Sequence, residues 1–390
     1  MGSVRDSGGE TRTELKELAV VFLKLGTIAF GGPAAHIAMM DHEIVRRRKW
    51  LTREEFLDLL GATNLIPGPN STEMAIHIGY RRGGWRGLVV AGSCFILPAA
   101  LMVTVIAWSY VRFGKLPQVE GILYAVKPVV IAVVAQALWA LSRSAIKTWT
   151  LALAGVVVVA LNFAGINELL LLFATGVAIC VLSGFVDKKQ IGMRQILWWF
   201  SPAMNGAALT IATETTAFGL WPLFGFFLKV GSVLFGSGYV LLAFLRADLV
   251  ERWHWLTESQ LIDAIAVGQV TPGPVFTTAT FIGYFLGGLP GALVATLGIF
   301  LPAFLFVAIS GPLVPRMRQS PVVAAFLDGV VVASMGLMTV VTWQLAGSAL
   351  VDPLTLLLAA LSGLLLIRFK INSVWLVLGG AVIGLIISVK

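Results

Sequence analysis

Long apolar stretches alternate with short polar, charged or glycine- and proline-rich segments along almost the whole chain. Ile122–Leu141, Leu293–Ser310 and Val374–Val389 approach the ~20 residues that a helix needs to cross a hydrocarbon core of ~30 Å. The pattern therefore predicts an all-α integral membrane protein.

Composition supports this interpretation. Hydrophobic residues make up 58% of the 390 residues and charged residues only 12%, whereas a soluble domain carries about 25% charged residues. The net charge of +8 does not indicate a nucleic-acid partner, because the Lys and Arg residues cluster at the ends of apolar segments, as in cytoplasmic loops of membrane proteins. Cys94 and Cys180 lie within apolar runs and predict neither a disulfide framework nor a metal site. The expected surroundings are a lipid bilayer.

The chain contains an internal duplication. Pro67-Gly68-Pro69 recurs as Pro272-Gly273-Pro274, and Trp50-Leu51-Thr52 recurs as Trp255-Leu256-Thr257, both at an offset of 205 residues. After a slip of one residue the matches continue, with Leu97-Pro98-Ala99 repeated as Leu301-Pro302-Ala303. The predicted organisation is a polar tail (1–13), a first repeat (14–187), a linker with a crossing helix (188–218) and a second repeat (219–390).

The charges of equivalent loops predict that the two repeats are inverted in the membrane. The basic segment Arg81–Arg86 corresponds to the uncharged Phe285–Pro290, whereas the uncharged Phe163–Ile166 corresponds to a segment with Arg368 and Lys370. Because cytoplasmic loops carry the excess of Lys and Arg, equivalent loops are expected on opposite faces. This arrangement puts the N-terminus in the cytoplasm and the C-terminus in the periplasm, and it is common in secondary transporters.

Broken, re-entrant helices are expected in addition to roughly nine full spans. Thr52 and Glu55 form a predicted capping box at the start of a helical arm that ends at Pro67-Gly68-Pro69. Each arm around this break has about 12–14 residues, or roughly 20 Å, which is too short to span. We therefore expect a hairpin that enters and returns, and a second one around Phe30–Pro33. The alternative is one continuous span over 53–80. The predicted helix breaks are Gly31, Gly32, Pro67, Gly68, Pro69, Gly236, Pro272, Gly273 and Pro274.

The helix that follows each Pro-Gly-Pro is a candidate anion-binding site, because a helix N-terminus offers unpaired N–H groups and a partial positive charge. The alternative is a plain kink. Two amides one turn before the breaks and two lysines at equivalent places in apolar stretches add donors and charge, although a lysine can also snorkel to the headgroups. The candidate substrate-binding residues are Lys24, Lys229, Asn64, Gln269, Asn70, Ser71, Thr72, Thr277 and Thr278.

Glu73 and His77 are candidate proton carriers. They lie four residues apart and hence on one face of a helix, and both can titrate when buried. The alternative is that the two side chains only satisfy each other's hydrogen-bonding capacity. The equivalent carboxylates Asp58 and Asp263 are expected to pair with an arginine rather than to meet the substrate.

The sequence shows no P-loop, no nucleophile elbow, no zinc-protease motif and no metal-spaced His/Cys cluster. We therefore expect neither an enzyme nor a bound cofactor, and an ion gradient as the source of energy.

The motifs resemble those of the chromate ion transporter (CHR) family in its long, two-domain form. The resemblance is carried by Phe30–Pro33, Arg47–Thr52, Phe56 and Pro67–Asn70 in the first half, and by Phe235–Tyr239, Trp255–Thr257 and Thr271–Pro274 in the second. It implies a transporter in the bacterial inner membrane that exports chromate, driven by the proton motive force, and confers resistance. Sulfate, other oxyanions and a passive anion channel remain alternatives, and a homodimer stays open.

Overall fold

The two repeats fold into helices at equivalent positions, as the alternation of apolar stretches and breaks predicts. This computed structural model describes residues 15–30, 32–114, 116–183, 217–235, 241–310 and 320–388. The tail, nearly all of the linker, Gly31 and Gly236 lie outside the described residues. In the first half the helices are α1 (Leu15–Ile28), α2 (Gly32–Met40, continued by a π-helical segment Asp41–Arg47), α3 (Arg53–Thr63), α4 (Asn70–Phe113), α5 (Pro117–Ala145), α6 (Trp149–Phe163) and α7 (Glu168–Leu182).

The second half repeats this order. Its helices are α8 (Leu220–Val233), α9 (Leu241–Phe244, continued by a π-helical segment Leu245–Arg252), α10 (Glu258–Val270), α11 (Thr278–Ser310, preceded by a 3₁₀ turn Val275–Thr277), α12 (Pro321–Ala349), α13 (Pro353–Phe369) and α14 (Ser373–Ser388). The capping box predicted at Thr52 and Glu55 is present, and Thr257 with Gln260 forms its equivalent.

The long helices α4 and α11 are each folded back on themselves at a glycine. Gly84 (φ 60°, ψ −147°) and Gly288 (φ 60°, ψ −153°) interrupt them with a conformation that side chains disfavour. The arms on either side are in contact, since a Cβ on Gly79 would lie 2.3 Å from the carbonyl oxygen of Gly87. In a straight helix these residues would be about 12 Å apart. Each long helix is therefore a short arm followed by a long one.

The segment around the first Pro-Gly-Pro is a re-entrant hairpin. The start of α3 and the end of the short arm of α4 meet at an ion pair between Glu55 and Arg81 (3.3 Å), and Arg82 donates to the carbonyl of Trp50 (3.3 Å). Both ends of the hairpin therefore lie on the same face. This excludes the alternative of a continuous span over 53–80. The segment from α1 to Arg48 also returns to the face on which it starts, because Arg48 forms an ion pair with Glu17 in the first turn of α1.

Two reciprocal contacts demonstrate that the halves are inverted. Lys147, just after α5, forms an ion pair with Asp328 near the start of α12 (2.8 Å), whereas Tyr124 near the start of α5 donates to Asp352, just after α12. The helices α5 and α12, which occupy equivalent places in the two repeats, therefore run antiparallel. The halves are also intertwined, since α13 and α14 pack on α5 while α6 and α7 pack on α12.

The described residues contain nine apolar helices, of which four are long enough by themselves to cross a membrane, so the predicted count of roughly nine full spans stays a prediction. Four helices among the described residues have at least 18 residues and are apolar enough to cross a membrane: α4, α5, α11 with its 3₁₀ turn, and α12. The five shorter apolar helices are α6, α7, α8, α13 and α14. The 15 residues of α6 cover only about 22 Å, which is less than the ~30 Å of a hydrocarbon core.

The reciprocal contacts at the two ends of α5 generate a topological prediction. Tyr124 and Lys147 are separated by about 34 Å along this helix, so Lys147 and Asp352 belong to opposite faces of the membrane. Reporter fusions or cysteine accessibility at these two positions should give opposite signals. Equal signals would contradict the inverted arrangement, and a second pair of probes at Gly165 and Lys370 provides an independent check.

Candidate anion-binding site

Each Pro-Gly-Pro turn is held by the other half of the protein. The N–H of Gly68 donates to the carbonyl of Leu234 (2.6 Å), and the N–H of Gly273 donates to the carbonyl of Ala29 (2.9 Å). Leu234 and Ala29 are equivalent residues that directly follow α8 and α1. Each turn therefore donates one backbone hydrogen bond to the helix break of the opposite half.

Both turns require glycine. Gly68 and Gly273 have φ values of 141° and 92°, in the region that side chains disfavour. A Cβ on Gly273 would lie 2.6 Å from the Cβ of Ala99. At Gly68 it would lie 2.2 Å from Oε1 of Glu73 and 3.6 Å from the Cβ of Ala303. Ala99 and Ala303 are again equivalent, so each turn is wedged against the long arm of the opposite half.

His36 contacts the backbone carbonyl group that holds the second turn. Its Nε2 atom lies 3.0 Å from the same Ala29 carbonyl that accepts the N–H of Gly273. The side chain is 1% exposed and packs edge-on against Phe95. The histidine therefore acts as a structural partner of the helix break.

The helices after the two turns begin differently. The short arm of α4 starts directly at Asn70, after Pro69, and no side chain caps it. In the second half a 3₁₀ turn precedes α11, and the side chain of its cap residue Pro274 likewise makes no capping hydrogen bond. A 3₁₀ helix rises ~2.0 Å per residue instead of ~1.5 Å. The second copy therefore covers about the same 15 Å between its proline and Gly283 with one residue fewer, which accounts for the slip between the repeats.

The hydroxyl group of Thr72 in the first half has no partner, whereas those of Thr277 and Thr278 in the second half donate to the backbone. Ser71 and Thr72 are buried, and Oγ1 of Thr72 has no hydrogen-bond partner. Thr277 instead donates to the carbonyl of Pro274 (2.8 Å), and Thr278 donates to that of Val275 (2.8 Å). The sequence equivalence of Thr72 and Thr277 is therefore not an equivalence of hydrogen bonding.

The amides also differ between the halves. Asn64 is exposed and its side-chain oxygen accepts from Nδ2 of Asn70 (2.8 Å), which leaves Oδ1 of Asn70 buried without a partner. Gln269, the equivalent of Asn64, is only 9% exposed. The first turn is thus bridged by an Asn64–Asn70 hydrogen bond.

Two ionisable side chains are buried beside the first turn. Glu73 is 0% exposed and neither carboxylate oxygen has a hydrogen-bond partner, and His77 is 4% exposed with Nε2 unpartnered. Oε1 of Glu73 approaches Gly68, so its carboxyl group lies at the turn itself. A buried carboxylate without donors is costly, which favours its neutral form in this conformation.

The two lysines face acids on the π-helical segments. Lys229 forms an ion pair with Asp248, which also binds Arg252 (2.8 Å). In the first half the equivalent acid, Glu43, binds Arg47 (3.1 Å), and the exposed Lys24 adds favourable electrostatics to it. The expectation that these lysines compensate the charge of a substrate stays a prediction, but Lys229 already has a counter-ion.

Asp263 has a partner that the sequence analysis missed. An arginine was expected, but the structure pairs Asp263 with Lys127 (3.4 Å) and with the hydroxyl of Tyr110 (2.8 Å). Lys127 is the lone charge between residues 121 and 142 of an otherwise apolar stretch. Since ionisable residues within membrane segments are functional candidates, this position could have been recognised.

Comparison with known proteins places this arrangement in a family. The family model described as "Chromate transporter" matches residues 16–181 and 221–385. The chain belongs to the chromate transporter family. This membership, together with the apolar helices, makes it a multi-pass membrane protein with two repeated halves.

Several relatives of the chromate transporter family match nearly the full length. A chromate transport protein of Cupriavidus metallidurans is 36% identical over 95% of this chain and 93% of its own. A chromate transport protein of Pseudomonas aeruginosa is 30% identical over 94% of this chain and 91% of its own. An uncharacterized transporter of Methanocaldococcus jannaschii is 28% identical over 94% and 92%. No solved structure matches the chain.

Proposed function

We propose that the protein exports chromate from the cytoplasm across the bacterial inner membrane and so confers chromate resistance. The observation that carries this proposal is the pair of Pro-Gly-Pro turns, locked reciprocally between inverted halves, each followed by a helix N-terminus without a side-chain cap. Relatives that cover almost the whole chain are named chromate transport proteins, which supports chromate as the substrate.

The helix after the first turn offers the stronger half of the proposed site. Its N-terminal N–H groups and the free hydroxyl of Thr72 are suited to an oxyanion, because hydrogen bonds to a charged acceptor are stronger than neutral ones. The second helix contributes its N-terminal dipole, while Thr277 and Thr278 hold the local turn. In an inverted pair of repeats, the two helix N-termini point towards the interface between the halves. A dianion bound there would be stabilised by the positive ends of both helix dipoles.

The membrane potential supplies a driving force for export. Moving one charge across 100 mV corresponds to ~2.3 kcal/mol. Export of a dianion from an inside-negative cell therefore releases about 4.6 kcal/mol of free energy, which can sustain a concentration ratio of roughly a thousandfold. Protons transported together with the anion or against it would change this driving force. We infer that the N-terminus is cytoplasmic and the C-terminus periplasmic, which puts the basic segments Arg46–Lys49 and Arg81–Arg86 inside.

Sulfate or another oxyanion is the second candidate substrate, because chromate and sulfate are both tetrahedral dianions and every donor named above would serve either. A passive anion channel is the second candidate mechanism. Competition between the two anions addresses the first alternative, and accumulation against a concentration gradient addresses the second.

Flux in proteoliposomes tests the proposed function. Vesicles loaded with chromate should release it faster with an inside-negative potential than without one, and sulfate should compete to a measurable degree. Protein-free vesicles are the control. Absence of chromate flux at any imposed potential would contradict the proposal, and sulfate flux without chromate flux would assign the alternative substrate.

A matched pair of variants tests the site. Thr72→Val removes a free hydroxyl while keeping its shape, so oxyanion binding should weaken roughly 10- to 150-fold, since a hydrogen bond to a charged group contributes ~1.5–3 kcal/mol. Thr277→Val should have a much smaller effect, because its hydroxyl already donates to Pro274. Isothermal titration with chromate measures both. Equal losses in the two variants would contradict the unequal roles of the halves.

The position of Glu73 supports a coupling in which a proton and the anion bind together. A dianion at the turn is repelled by an ionised Glu73, so binding of a proton and binding of the anion favour each other. Sulfate affinity, measured because the charge of sulfate stays constant, should fall as rising pH ionises Glu73. Glu73→Gln should retain the affinity at low pH and lose this dependence, while the exposed Glu54→Gln should behave as wild type. A pH dependence that persists in Glu73→Gln would shift the role to His77 or elsewhere.

A further inference from the structure

A second polar cluster lies within the membrane-spanning region, away from the first Pro-Gly-Pro turn. Nζ of Lys127 on α5 is 3.4 Å from Oδ1 of Asp263 on α10 and 2.6 Å from Oγ of Ser259. The hydroxyl of Tyr110, on the long arm of α4, donates to Oδ2 of Asp263 (2.8 Å). Three helices thus bring one cation and two hydroxyl groups around one carboxylate.

Burial distinguishes this cluster from a surface ion pair. Lys127 lies three residues beyond Tyr124, or about 4.5 Å further along α5, and therefore about one helical turn inside the level at which Tyr124 binds Asp352. The side chain of Asp263 is 3% exposed and that of Lys127 is 18% exposed. The lysine is therefore sheltered but still reachable, whereas the carboxylate is covered.

The cluster joins the two halves and has no copy on the other side. Lys127 and Tyr110 belong to the first repeat and Asp263 to the second. The repeat partner of Asp263 is Asp58, which is exposed, and the residue equivalent to Lys127 is Val331. Since Val331 carries no charge, the Lys127 cation is not repeated at the equivalent position, whereas the pairs Glu43–Arg47 and Asp248–Arg252 occur in both halves.

We propose that Lys127 is a second oxyanion-binding residue, with Tyr110 and Ser259 as hydroxyl donors, and that the Asp263 carboxylate occupies the place of the anion in this conformation. The set is chemically suited to this role, because an ammonium group and hydroxyls bind carboxylate and tetrahedral oxyanion oxygens alike. The inference rests on the proposed function, since it adds a second station for the same class of substrate. An arriving dianion replaces the carboxylate as the counter-ion of Lys127.

Removing the internal competitor should strengthen binding. In Asp263→Asn the side chain keeps its size but no longer neutralises Lys127, so the affinity for sulfate or chromate should rise by about tenfold or more. A gain in affinity is informative because damage to the fold would lower it. The matched control is Asp58→Asn, which removes the equivalent but exposed carboxylate and should leave affinity unchanged.

A double variant separates binding from a purely structural role. Lys127→Met together with Asp263→Asn leaves no unpaired charge in the membrane, so the protein should fold, as size-exclusion chromatography and thermal unfolding would verify. We expect the gain in affinity to disappear and flux to fall about tenfold or more, since one of two stations is lost. Flux at the wild-type level in this double variant would overturn the proposal, even if Asp263→Asn alone did not fold.

These outcomes are distinguishable from failure of the proposed function. If the wild-type protein transports neither chromate nor sulfate, the proposed function fails. If it transports either anion but Asp263→Asn binds no more tightly than wild type, only the role of Lys127 is refuted. A gain that persists in the double variant would likewise refute it, because Lys127 could not then be its source.

Discussion

A backbone that breaks in the middle of a membrane must find hydrogen-bond partners that lipid cannot provide, and this requirement organises the whole protein. Each repeat interrupts its helices after α1 or α8 and again at Pro-Gly-Pro. The breaks satisfy one another across the halves through the Gly68–Leu234 and Gly273–Ala29 hydrogen bonds. Neither half can bury its own turn in this way. The two repeats are therefore interdependent at the point where the polar groups of the site gather.

The fold was largely predictable because its signals are local or repeated. The capping box at Thr52, the break at Pro67–Pro69 and the charge exchange between equivalent loops each depend on short stretches of sequence, and the duplication tests every inference twice. The span count was less predictable, because apolar length does not reveal where a helix folds back. The reversal at Gly84 depends on one backbone conformation, which the apolar pattern does not reveal.

The chemistry of the site was less accessible from sequence. Thr72 and Thr277 are aligned, yet the second helix begins with a 3₁₀ turn in which the Thr277 hydroxyl donates to the carbonyl of Pro274. Repeat alignment carries residue identity but not the helix type that decides which hydroxyl is free. The partners of Lys229 and Asp263 were missed for another reason. Ion pairs form between segments distant in sequence, and the expectation of an arginine for Asp263 neglected Lys127, whose isolation in an apolar stretch was the available signal.

The scaffold is nearly symmetric, but its ionisable groups are not. If the halves were identical, two conformations that exchange their roles would have the same free energy, and no substrate could favour one over the other. The pairs that repeat, such as Glu43–Arg47 with Asp248–Arg252, belong to the scaffold. The groups without a copy are Glu73 and His77 beside the first turn and Lys127 with Tyr110 beside α10. Because these residues have no equivalent in the other half, we expect them to make the two exchanged conformations differ in free energy.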